Sequence, residues 1–70
     1  MPDWDYIRQK LITRREEIGL AQRDLAERMN SHQSWISQLE SGKVGNPRIT
    51  TVIAWARALD ADLDLILELP

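Results

Sequence analysis

The sequence predicts an all-α fold, a compact bundle of four to five helices, followed by a C-terminal segment of β-strand character. Over most of residues 3–60, apolar residues recur three and four positions apart, which places them on one face of a helix. Residues 62–69 instead alternate between apolar and acidic side chains over much of their length, and that is the period of a strand. We therefore expect one domain, with a helical unit over 1–60 and a strand within 61–70.

The composition allows one small folded domain and excludes several classes of protein. The 70 residues are 43% hydrophobic and 29% charged, which is enough for a modest core. No apolar run approaches the roughly 20 residues that a membrane span needs, and Asp3 and Asp5 stand where a secretory signal would be basic. The lack of cysteine excludes disulfides and thiolate metal sites and fits a cytoplasmic protein.

Helix one is predicted to extend from about residue 4 to residue 18. Asp3 can cap its start, and Gly19 supplies its end because glycine readily takes a left-handed backbone. The apolar residues at helical spacing are Trp4, Ile7, Leu11 and Ile18. We expect Trp4, like Trp55 further along the chain, to lie in the core or in a dimer interface.

A second, short helix is predicted over about residues 22–29. Its apolar face comprises Leu25, Ala26 and Met29. Asn30 follows as the turn residue, because asparagine is the residue that best tolerates a left-handed conformation after glycine. Ser31 or His32 is then placed to cap the next helix.

The third helix is predicted to end near Gly42 and to have two unlike faces. Ile36 and Leu39 lie on its buried face. The side chains that point away are Gln33, Ser34, Ser37 and Gln38. Amides and hydroxyls can pair with base edges, and a glutamine can pair bidentately with adenine. Two such helices around a tight turn have the layout of a helix-turn-helix, whose second helix enters the DNA major groove.

The remainder of the helical unit is a loop and a fourth helix. Residues 43–47 are predicted to form a loop from their glycine and proline content. Helix four covers about 49–59. Its apolar face comprises Ile49, Val52, Ala56 and Leu59.

The C-terminal tail predicts a second copy of the chain. Its alternating apolar residues are Leu63, Leu65, Leu67 and Leu69. This alternation favours a strand, and because leucine also forms helices well, a fifth short helix is the alternative. A lone strand would leave its backbone edge unpaired. Since pairing with the same strand across a two-fold axis satisfies that edge, we expect a homodimer held by these leucines.

The net charge of −2 is unevenly distributed. Residues 6–48 carry eight basic and five acidic side chains, whereas the flanking segments carry six acidic side chains and one basic side chain. Nucleic acids favour basic partners, so a basic middle with acidic ends is compatible with one DNA-facing surface. An ordinary mixed surface fits the same distribution.

Residues 14–59 contain a series of motifs in a characteristic order and spacing. They are Arg14-Arg15, Ile18-Gly19-Leu20, Gln22, Leu25-Ala26, Ile36-Ser37, Leu39-Glu40, Ser41-Gly42-Lys43, Pro47, Thr51-Val52 and Ala56-Arg57-Ala58-Leu59. In these motifs the chain resembles the Xre family of helix-turn-helix domains, which includes lambda repressor and Cro-like proteins. It departs from the family at Ala21 and Arg48, where hydroxyl residues often cap helices two and four.

The resemblance implies a role for each matching residue. Gln22 would bond a phosphate beside the major groove, Lys43 would touch the DNA backbone, and Arg48 would approach a phosphate or the minor groove. The family reads bases at the positions of Gln33, Ser34 and Gln38, and Ser37 lies on the same polar face of helix three. Trp35 would contact a thymine methyl or sugar, or instead pack on a neighbouring helix, and His32 would cap helix three or touch a phosphate. Arg15 and Glu40 would form a structural ion pair between helices one and three.

The function that the resemblance implies is a sequence-specific, DNA-binding transcriptional repressor. It would act as a homodimer on a palindromic double-stranded operator, without a cofactor, in a prokaryote, phage or plasmid. The short chain and terminal strand are similar to antitoxins of the HigA and HipB kind, which also bind a cognate toxin. One alternative is a phage or plasmid repressor without a toxin. The other is a protein-interaction module that has lost DNA binding, which the acidic pI of about 5.2 favours.

The sequence gives no support for catalysis or metal binding. The lone His32 has no cysteine or carboxylate cluster beside it in the sequence, and no serine–histidine–aspartate pattern or glycine-rich phosphate loop is present. We therefore expect neither an enzyme nor a metalloprotein, and no membrane association.

Overall fold

The computed structural model describes residues 3–61, and these form four α-helices. The helices are α1 (Trp4–Glu17), α2 (Gln22–Arg28), α3 (Gln33–Ser41) and α4 (Ile49–Ala58). The all-α prediction is confirmed. The predicted tail strand, with Leu63, Leu65, Leu67 and Leu69, lies outside the described residues, as does the alternative fifth helix. Within residues 3–61, no helix is long and apolar enough to cross a membrane.

The breaks between the first three helices and the end of α3 follow from residue type. The Asp3 carboxylate accepts a hydrogen bond from the Tyr6 amide at 2.9 Å and so caps α1. Gly19, Asn30 and Gly42 have φ angles of +71°, +58° and +84°. These left-handed values are open to glycine and, at a lower cost than for other residues, to asparagine.

The predicted capping position of α3 is confirmed for His32, which is the N-cap residue. Its side chain, however, accepts no hydrogen bond from the helix. The short side chains of serine, threonine, asparagine and aspartate suit this role better than imidazole does. The first turn is closed by the backbone instead, because the His32 carbonyl accepts from the amides of Trp35 and Ile36 at 3.0 and 3.2 Å. Ala21 and Arg48 likewise provide no side-chain cap for α2 and α4.

All four helices contribute to one apolar core. Its buried members are Leu11, Leu25, Ala26, Ile36, Leu39, Val52, Trp55, Ala56 and Leu59. Trp55 is fully buried, and the partly buried Trp4 meets it edge-on, with ring centroids 6.0 Å apart. Trp55 is therefore a core residue, and Trp4 packs against the core from its edge.

Two residues assigned to the apolar faces are exposed. Ile18 is 40% exposed because α1 ends one residue before it. Ile49 is 62% exposed, since it is the first residue of α4 and stands beyond the turns that contact the core. The predicted faces hold for the remaining members of both helices, which are buried or packed against the core.

Candidate nucleic-acid interface

The α3 helix separates a buried apolar face from an exposed polar face. Ile36 and Leu39 are fully buried, and α3 packs against α2 and α1 through this side. The side chains exposed on the other side are Gln33, Ser34, Ser37 and Gln38. The structure thus brings together on one surface the four polar residues that the sequence singled out.

Trp35 lies at the boundary between these two faces. Its side chain is half-buried and packs against the hydrophobic core. Of the two environments considered for it, packing on neighbouring helices therefore accounts for much of its surface.

A buried carboxylate links the end of α3 to α1. Glu40 Oε2 accepts from Arg15 Nε at 2.6 Å, and Glu40 Oε1 accepts from Arg15 Nη2 at 2.9 Å. The side chains of Arg15 and Glu40 are only 14% and 7% exposed. The hydrogen bonds to Glu40 raise the pKa of Arg15 above its ordinary value and outweigh burial, which lowers it. These are the two residues that the resemblance paired.

The same carboxylate also holds the start of α2. Gln22 Nε2 donates to Glu40 Oε1 at 3.0 Å, and Arg15 Nη1 donates to the Leu20 carbonyl at 2.7 Å. The orientation of α3 relative to α2 is therefore fixed by polar contacts as well as by the core. A primary amide nitrogen carries two hydrogens, so Gln22 retains one donor beyond its bond to Glu40.

Two basic residues mark the ends of the segment between α3 and α4. Lys43 is exposed just beyond the end of α3, and Arg48 is exposed at the N-cap of α4. The backbone amide of Lys43 donates to Ser41 Oγ at 3.4 Å. His32, also exposed, lies at the opposite end of α3. The exposed DNA-contact candidates thus extend from the N-terminus of α3 to the N-terminus of α4.

Several arginines of the basic middle segment are committed to internal contacts. Arg14 Nε donates to the Leu59 carbonyl at 3.2 Å, and Arg28 Nη1 donates to the Ala58 carbonyl at 2.9 Å. Both guanidinium groups thereby satisfy carbonyls at the end of α4. Each guanidinium group therefore uses part of its hydrogen-bonding capacity within the chain.

Two contacts at the exit of α3 involve residues that sequence analysis did not assign to the site. Arg8 Nη1 donates to the Glu40 carbonyl at 2.6 Å, and Trp4 Nε1 donates to the Val44 carbonyl at 3.1 Å. The sequence indicates only that Trp4 and Arg8, one helical turn apart, share a face of α1. This spacing does not indicate which backbone groups the two side chains contact.

No metal centre forms in the part of the chain that the structure describes. There, no three or more histidine, cysteine, aspartate or glutamate side chains come together in a way that could hold an ion. The side chains exposed at the candidate interface carry amide, hydroxyl and cationic groups.

Comparison with known proteins agrees with this architecture. A family model described as helix-turn-helix matches residues 11–66. Antitoxin HigA1 of Mycobacterium tuberculosis, from strains CDC 1551 / Oshkosh and ATCC 25618 / H37Rv, is 40% identical over 60 residues, which is 86% of this chain. The chain spans 40% of the length of these relatives. No solved structure gives a significant match. The family match over most of the chain and the α2–turn–α3 arrangement show that the protein belongs to the Xre-like helix-turn-helix family.

Proposed function

We propose that this protein is a sequence-specific DNA-binding transcriptional repressor whose α3 helix enters the major groove. The observation that carries the proposal is the exposed polar face of a helix whose opposite face is fully buried. Gln33 and Gln38 each offer a donor and an acceptor, which matches the major-groove edge of adenine. Ser34 and Ser37 add hydroxyl groups that can donate or accept. Membership of the helix-turn-helix family supports a regulator rather than an enzyme.

Phosphate contacts would fix the position of α3 in the groove. Lys43 and Arg48 are the exposed cations nearest its exit, and Gln22 and His32 would contribute polar hydrogen bonds. With two cations in each protomer, a dimer would neutralise on the order of four phosphates. The logarithm of affinity should then fall with the logarithm of salt concentration with a slope of about −4, which is shallow for an operator-binding protein.

The repressor would act as a homodimer on a palindrome. Leu63, Leu65, Leu67 and Leu69 share one face of the predicted strand, and the acidic residues Asp62, Asp64 and Glu68 lie on the other. This pattern supports pairing between the tails of two copies. Half-sites about one helical turn apart follow from that two-fold symmetry. Sedimentation equilibrium tests this directly: the full chain should be a dimer, and a chain ending at Ala61 should be a monomer. A monomeric full chain would rule out pairing between tails.

A toxin is the further partner that we propose. Its support is the similarity to Antitoxin HigA1 over most of this chain, together with the acidic tail. A repressor without a toxin partner is the alternative within the same class. Co-expression with the product of the adjacent gene separates the two, because a toxin would be neutralised by, and co-purify with, the full chain.

The decisive experiment for DNA recognition begins with selection of a preferred sequence from a random duplex library. The variant Gln33→Ala/Gln38→Ala should then bind the selected duplex at least about 30-fold more weakly, because each bidentate base contact is worth about 1–3 kcal/mol. Its binding to unrelated duplex should change little. Gln9→Ala is the matched control, since it removes an exposed glutamine from α1.

Two results would favour the protein-interaction module over the repressor. One is that selection returns no preferred sequence. The other is that the double variant binds the selected duplex as tightly as the Gln9→Ala control does. Far-ultraviolet circular dichroism of each variant establishes that the helices remain formed during these measurements.

A further inference from the structure

We propose that Trp4 and Arg8 are positioning residues that hold the backbone around Lys43 in place for contact with a phosphate. The two side chains lie one turn apart on α1 and are called the α1 clamp below. The proposal rests on the proposed DNA binding, and it adds α1 to the elements that serve the interface.

The Arg8 side of the clamp covers the C-terminus of α3. Its Nη1 donates to the Glu40 carbonyl at 2.6 Å, and its Nη2 contacts Asp5 Oδ1 at 3.4 Å. The guanidinium carbon lies 3.4 Å from the place that a Cβ on Gly42 would occupy. A cation at this point meets a helix carbonyl and the negative end of the helix dipole. The Arg8 side chain is only 15% exposed, so the contact is sheltered from solvent.

The Trp4 side of the clamp holds the chain beyond Lys43. Its indole Nε1 donates to the Val44 carbonyl at 3.1 Å. Its ring meets Trp55 edge-on at 6.0 Å and 64°, and Trp55 is fully buried. The donor is therefore anchored to the core, and Val44 itself packs against that core.

The two bonded carbonyls, of Glu40 and Val44, lie on either side of Lys43. Gly42 makes the turn between them at φ +84°, and the Lys43 amide donates to Ser41 Oγ at 3.4 Å. The lysine side chain is exposed while its backbone is held on both sides. A group on a preorganised backbone loses less conformational freedom on binding, so the clamp should strengthen the phosphate contact of Lys43.

The α1 clamp lies outside the segment that the family model matches. The helix-turn-helix match begins at residue 11, whereas Trp4 and Arg8 precede it. The family assignment alone therefore does not predict the clamp.

The test uses Trp4→Phe, which removes the indole donor and keeps an aromatic edge against Trp55. Binding of the full chain to its selected duplex is measured for Trp4→Phe, Lys43→Ala and the double variant. Trp4→Phe should weaken binding about three- to tenfold, and should have no further effect once Lys43 is alanine. Equal effects of Trp4→Phe in both backgrounds would overturn the proposal, since a purely structural role does not depend on Lys43.

A second measurement follows the loop without DNA. Backbone order parameters from nitrogen-15 relaxation should fall at residues 42–46 in Trp4→Phe while those of α2 stay unchanged. Unchanged order across residues 42–46 would overturn the proposal even if the protein still folds and binds.

The two proposals fail in different ways. If the wild-type chain binds no duplex, the proposed DNA-binding function fails and the role of the clamp fails with it. If the wild type binds and Trp4→Phe binds equally well, the clamp alone is refuted.

Discussion

Replacement of Glu40 by glutamine should lower the free energy of unfolding by about 2–4 kcal/mol. The carboxylate receives two bonds from Arg15 and one from Gln22, at 2.6–3.0 Å. Glutamine keeps the shape and one acceptor oxygen, but its amide group places a donor against donors. Hydrogen bonds to charged groups contribute about 1.5–3 kcal/mol each, and an uncompensated buried charge costs about 3–5 kcal/mol. Because glutamine retains one acceptor oxygen for Arg15, we expect a loss of about 2–4 kcal/mol rather than the full cost of an uncompensated buried charge.

The expected loss in the free energy of unfolding is large relative to the stability of the whole domain. At about 0.05–0.15 kcal/mol per residue, a domain of this length has a free energy of unfolding of about 4–10 kcal/mol. At about 4–8 °C per kcal/mol, the variant should therefore melt about 10–30 °C below the wild type. Because the Arg15 and Glu40 side chains are 14% and 7% exposed, salt should reduce this difference little.

The assay is urea unfolding followed by circular dichroism at one fixed protein concentration, because dimerisation would make stability depend on concentration. Glu27→Gln is the matched control, because it makes the same substitution at an exposed position of α2. It should alter the free energy of unfolding by no more than about 0.5 kcal/mol. The reasoning is refuted if Glu40→Gln matches this control, or if 1 M salt removes the difference between them.

Two further predictions concern left-handed backbone positions. Gly42→Ala should cost about 1–2 kcal/mol because φ is +84°, a left-handed backbone that alanine adopts only with strain. Gly45→Ala, which would meet nothing within 4 Å, should stay within about 0.5 kcal/mol of wild type in urea unfolding; an equal loss in both variants would contradict this. Asp60→Gly should raise the free energy of unfolding by about 0.5–1 kcal/mol, because Asp60 has φ +52°. A lower melting temperature in calorimetry would show that the aspartate side chain contributes more than the strain removes.

The parts of the fold that could be predicted from the sequence are those that local rules determine. Gly19, Asn30 and Gly42 were placed at breaks because few residues adopt positive φ, and all three have it. The faces of α3 followed from helical periodicity, because Ile36 and Leu39 are three positions apart. Ile49 shows the limit of this rule, since periodicity assigns a face but does not say how far along it the core extends.

The contacts that could not be predicted are long-range. Gln22 meets Glu40 only because α2 and α3 cross at one particular angle, and no spacing in the sequence encodes that angle. The same holds for Arg14 and Arg28, which meet the end of α4. The pairing of Arg15 with Glu40 was anticipated only from the family resemblance. Charge counted along the chain therefore gave little information about which cations remain on the surface.

The division of α3 into two faces also determines how its sequence can change. A helix of nine residues has almost no stability by itself, so its order must come from contacts with the rest of the domain. These lie on its inner side and at its end, through the core, the Glu40 carboxylate and Arg8. The outer side chains at Gln33 and Gln38 take no part in them. Under the proposed DNA binding, substitutions there should alter which DNA sequence is bound while leaving stability intact, so specificity could change without cost to the fold.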